Sequence, residues 1–140
     1  MSIGNTIKQN CPELEFGGFN IAELSEMMDT RYLGDFSIFI AASEIFLEGY
    51  VAQLADIKKA ITDMDTEKIH ATAHKFKGGI SNFHDLNVTE TVRLIEMNSA
   101  KWTKEELLAQ YSLLGLQMGT FISQLKQLTE SFAKIQQEAA

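Results

Sequence analysis

Cysteine occurs once, at Cys11, and one thiol can close no internal disulfide and build no thiolate metal cage. A reducing, cytoplasmic setting is therefore expected. Proline also occurs once, and a composition that is 45% hydrophobic and 22% charged has none of the bias of a disordered tail. Basic residues are scarce, twelve against nineteen acidic, and the net charge of -7 opposes the counterion release on which nucleic-acid binding depends. No apolar run approaches the ~20 residues that span a bilayer, and Met1 to Asn10 lack the basic-then-apolar order of a signal peptide. The expectation is a chain neither inserted in a membrane nor exported.

What remains is helical periodicity. At 140 residues the chain fits one domain with a sizeable core. Residues 1–19 show no sustained period and include Gly17-Gly18, so they read as a loosely held lead-in to a domain spanning 20–140. A short helix is expected from Ile21 to Tyr32. Gly34 then breaks the chain, and Asp35 can cap the next helix by accepting from its unpaired N–H groups. In that helix Phe36, Ile40, Ser43, Leu47, Tyr50, Leu54, Ile57 and Ile61 recur at alternating intervals of four and three, with Phe39 and Phe46 widening the stripe. Ile69, Ala73, Phe76, Ile80 and Phe83 mark a second helix. Val88, Val92, Ile95, Ser99 and Trp102 mark a third, with Leu94 beside them.

Thr103 and Glu106 form a capping-box pattern before the final helix. Its stripe is Leu107, Tyr111, Leu114, Met118, Phe121, Leu125, Leu128, Phe132 and Ile135. Nothing alternates with period two. The expected architecture is all-α: an antiparallel up-down four-helix bundle with an additional short N-terminal helix.

One segment is not explained by packing. His74 lies one residue, about 100° of rotation, past the apolar stripe. The row His70, His74, Lys77 and Ser81 runs parallel to that stripe on the adjacent face and should meet solvent. Gly78 and Gly79 follow inside the same pattern, although helical glycine costs roughly 1 kcal/mol relative to alanine. Because Ile80 and Phe83 stay in register, the helix is expected to run through them. A hydrogen at position 78 then clears space around His74. Lys77, one turn from His74, can offer positive charge to phosphoryl oxygens and favour the neutral, nucleophilic imidazole. The chain has no G-x-x-x-x-G-K-[ST] loop, no kinase-type glycine loop and no evident carboxylate cluster for magnesium, so it should not use ATP.

His74-Lys75-Phe76-Lys77-Gly78-Gly79 resembles the signature of histidine phosphotransfer (HPt) domains, a histidine followed by x-[LF]-K-G and a small residue. The similarity extends upstream to Gly34-Asp35 and downstream through Leu94-Ile95-Glu96, covering roughly residues 20–135. The resemblance implies phosphorylation of His74 at a ring nitrogen, with Lys77 assisting charge and Gly78 access. It implies a phosphocarrier and not an enzyme, with no cofactor of its own. The implied partners are receiver domains of a hybrid sensor kinase or a response regulator, whose acidic pocket holds magnesium. His70, Lys75, Gly79 and Ser81 would border the docking face, and a monomer is expected. Ile80 stands where the family usually has a small residue, and His84 where it often has glycine.

Two other readings stand beside this one. His70 and His74 at i, i+4 can bind a metal, although the Glu67-x-x-His70 pattern occurs once where di-iron bundles need it twice. The chain can also be an interaction module whose histidine is never phosphorylated. His84 reads as a helix-end residue meeting carbonyls or the helix dipole, Trp102 as core, and Lys68 and Lys75 as solvated charges able to steer an acidic partner.

Overall fold

A computed structural model describes residues 18–30 and 35–139. Cys11, Gly17, Tyr32 and Gly34 lie outside the described residues, as do most of the expected lead-in and the side chain of Ile135. The described chain is all-helical: α1 Ile21–Thr30, α2 Phe36–Thr62, α3 Thr66–Ile80, a 3-10 turn Ser81–Phe83, α4 Leu86–Met97 and α5 Lys104–Ala139.

Each long helix begins on a side chain that absorbs an orphan backbone N–H. Asp35 accepts from the N–H of Ser37 at 2.9 Å, Asp65 from Lys68 at 3.1 Å and Asp85 from Val88 at 3.0 Å. The capping box of α5 forms as its sequence implies: Glu106 N–H donates to Thr103 Oγ1 at 3.2 Å and Thr103 N–H to Glu106 Oε1 at 3.1 Å. α3 does continue through Gly78 and Gly79 to Ile80, and the 3-10 turn carries Phe83 onward into the core.

α2 packs against α3, α3 against α4, α4 against α5, and α5 back against α2. The expected stripes of α3 and, as far as Phe132, of α5 are the buried ones, apart from a half-buried Tyr111. In α2 the centre of the face is displaced. Phe39, Ser43, Phe46, Ile57, Ala60 and Ile61 are buried, whereas Phe36, Ile40, Leu47, Tyr50 and Leu54 are half-buried. Helices α3 and α5 flank α2, and the residues aimed between them bury deepest. Phe46 accordingly meets Phe76, Phe83 and Phe121 at ring separations of 6.1, 5.3 and 5.6 Å.

α2 is also long and apolar enough, by length and composition, to cross a membrane, with a mean hydropathy of 1.4 over 18 residues. That differs from the sequence expectation that no such run exists. Exposed Ile38, Ile45 and Val51 add to the core-facing residues and raise the average.

The connection from α3 to α4 is pinned to the chain before α1. Phe19 is buried and pairs in an antiparallel bridge with Asp85, Leu86 N–H donates to the Gly18 carbonyl at 2.7 Å, and Asn20 N–H to that of His84 at 2.9 Å. Gly18 has no room for a side chain, since a Cβ there would collide with Asp85 Oδ1. Burial pushes the Asp85 carboxyl above its usual range, and the N–H groups of Val88 and Asn87 offset this only in part.

Candidate functional site

The seam between α3 and α4 is where the apolar pattern gives way to charge. Ala73 and Ile95 are buried stripe residues on the two helices, and the residue after each, His74 and Glu96, lies one step around toward the neighbouring helix. Glu96 is thereby covered, its side chain 9% exposed, while His74 stays 68% exposed. His74 Nδ1 and Glu96 Oε1 are 2.7 Å apart. Since an ionised carboxylate only accepts, Nδ1 carries the proton and donates it to Oε1. The neutral ring then has its lone pair on Nε2, the nitrogen turned away from Glu96.

Lys77 reaches the same carboxylate, with Nζ 2.6 Å from Oε2. Its charge is thus met by Glu96 and not held free beside His74. Burial alone would push the Glu96 carboxyl up, but Lys77 and His74, through hydrogen bonding and charge, outweigh it and hold the group below the ordinary range. Glu96 is therefore a buried anion.

His70 lies one turn before His74, with parallel rings (8°) whose centroids are 6.2 Å apart. Its Nε2 is 3.8 Å from Glu96 Oε1, beyond hydrogen-bond reach, and its side chain is 55% exposed. Three residues of the expected row, His70, His74 and Lys77, therefore converge on one carboxylate. Ser81 is exposed and donates its hydroxyl to the Gly78 carbonyl at 2.9 Å. Lys75 is exposed, one residue and so about 100° past His74.

The two glycines part company. Gly78 is exposed and a Cβ there would meet nothing within 4 Å, whereas a Cβ at 79 would lie 3.9 Å from the ring of Phe46. Position 79 thus turns toward α2, and position 78 opens to the outside next to His74.

His84 is the helix-end residue expected, closing the 3-10 turn, but its side chain finds a different partner. The residue takes a left-handed backbone (φ 55°, ψ 39°), and its Nδ1 is 3.2 Å from Glu23 Oε2 on α1, so its ring meets a carboxylate instead of helix-end carbonyls. Glycine adopts such a left-handed backbone without the steric cost that a Cβ brings.

Among the described residues, no group of three or more His, Cys, Asp or Glu side chains is arranged to hold a metal ion. No family model, no curated protein and no solved structure matches the chain.

Proposed function

We propose that this chain is a histidine phosphotransfer protein. It accepts a phosphoryl group on His74 from the aspartate of one receiver domain and passes it to another. In this reading α2, α3, α4 and α5 form an antiparallel up-down four-helix bundle, a cytoplasmic monomer that carries the group without being an enzyme. The receiver contributes the acidic pocket and its magnesium. The observation that carries the proposal is a surface imidazole whose inner nitrogen is held by a buried carboxylate, leaving Nε2 outward as a nucleophile.

The Nε2 lone pair attacks the phosphorus of the receiver's aspartyl phosphate. The N–P bond forms as the P–O bond breaks, and the electron pair of that bond returns to the aspartate carboxylate. The ring keeps its Nδ1 proton and becomes positively charged. Glu96 holds that proton in place and stabilises the charge, the orienting role that a carboxylate plays toward histidine in hydrolase triads. Gly78 leaves the approach to the ring unobstructed.

Incubation with a phosphorylated receiver domain should place acid-labile, base-stable label on the wild type and none on His74→Ala. Equal labelling of the two proteins would overturn the assignment.

A further inference from the structure

We infer that His70 is the counter-charge of the transfer site: it takes up a proton as the phosphoryl group arrives on His74, making transfer a proton-coupled equilibrium. The inference rests on the function proposed above.

The argument is one of charge. Before transfer, neutral His74, the Glu96 carboxylate and the Lys77 ammonium sum to zero, and the two ions are already paired at 2.6 Å. The reaction moves a phosphoryl group with one negative charge from the aspartyl phosphate to Nε2. The aspartyl phosphate dianion becomes a carboxylate monoanion, and the site on α3 gains one negative charge. That charge lands on the exposed side of the seam, on a chain whose net charge is already -7.

The groups around it differ in how they can respond. Lys77 is engaged with a carboxylate that is itself buried, so releasing the ammonium would strip Glu96 of its partner. Lys75 projects about 100° further round α3. On α4, Arg93 is held by both oxygens of Glu90, at 2.8 and 2.6 Å. His70 is half-exposed, stands one turn from His74 with its ring parallel, and has Glu96 Oε1 3.8 Å from its Nε2. A proton on His70 therefore meets favourable fields from two sides once the phosphoryl group is present. One comes from the new charge roughly one helical turn away, the other from Glu96, which a charge-assisted bond can draw closer. One proton taken up at His70 balances one negative charge gained at His74. The role is through space, so His70 is a positioning charge and not a residue of the bond-making step.

The test labels the full chain with phosphoramidate, a small phosphoryl donor whose P–N bond breaks with loss of ammonia, and follows the His70 ring proton by NMR across pH. In the labelled protein the His70 titration midpoint should rise, the direction that a negative charge added about one helical turn away imposes. In the receiver-to-His74 equilibrium, lowering the pH through that midpoint should favour phospho-His74 several-fold more in the wild type than in His70→Gln. His70→Lys, with a permanent charge, should favour it at every pH. Label on His74 with an unmoved His70 midpoint would overturn the inference alone. Absence of label on His74 would instead remove the function on which it rests.

Discussion

Among the described residues two histidine–glutamate pairs lie within hydrogen-bond distance, and they are built differently. His74 and Glu96 join neighbouring helices across a seam that covers the carboxylate, with a lysine on its second oxygen. His84 and Glu23 join the α3–α4 connection to α1 at a longer 3.2 Å, with a Glu23 side chain 53% exposed. In the first pair the buried acceptor has few alternatives to the imidazole, so the ring's tautomer is fixed and its free nitrogen is aimed. In the second, water competes for the half-exposed carboxylate, and the pair is worth at most about 1 kcal/mol. A histidine's free nitrogen is directed through the burial of its partner more than through the ring's own exposure.

The largest expected effect separates the pairs by activity. Glu96→Gln keeps the shape but removes the charge, and should slow phosphoryl transfer to His74 about 10- to 100-fold, the scale for carboxylates that orient metal-binding imidazoles. Glu23→Gln should leave transfer within about twofold, near the limit set by a surface pair. Transfer from a phosphorylated receiver, timed by label, measures both, and equal rates for the two variants would break the distinction.

Acid unfolding probes the buried carboxylate directly. Because Glu96 is held below its ordinary range, it contributes stability that is present above about pH 4 and is lost as pH falls through the depressed value. Asp85, pushed up by burial, acts with the opposite sign: its effect erodes stability as pH rises from about 4 through the raised value. Denaturant melts between pH 6 and 3 should show Glu96→Gln losing less stability on acidification than the wild type, and Asp85→Asn losing more.

Glycine is placed oppositely in the two regions. His84 occupies a left-handed backbone suited to glycine, so His84→Gly should be more stable than His84→Ala by about 1 kcal/mol, read from urea midpoints. The smallest effect is expected at Gly78. Gly78→Ala should stabilise the protein by about 0.5–1 kcal/mol, since the added methyl meets none of the described residues beyond its own helix, while slowing transfer by narrowing the approach to His74.

The stripes of α3 and α5, the aspartate cap of α2 and the capping box of α5 were legible because each depends on spacing within one element. The centre of the α2 face was not. Which of Phe39 and Ile40 buries more fully depends on where α3 and α5 stand, and no local period encodes that. His74 and Lys77 stood out by motif, yet Glu96 entered only as one letter of a resemblance. A glutamate one step off a stripe ordinarily reads as solvated. The available signal was symmetry: Glu96 follows buried Ile95 as His74 follows buried Ala73, so pairing α3 with α4 brings the two polar residues together. His84 was legible as a helix-end residue, but its left-handed backbone and its Glu23 partner were not, because a single histidine carries no mark of either.

The open space over Gly78 bears on how such a chain can diverge. A side chain at 78 would meet none of the described residues beyond its own stretch of helix, so the core places no constraint on it, and alanine would even favour the helix. If the proposed receiver docks there, lineages that retain that partner should keep glycine at 78 against the local preference. Lineages that lost the partner should drift to alanine there, well before the aromatic core around Phe46 changes.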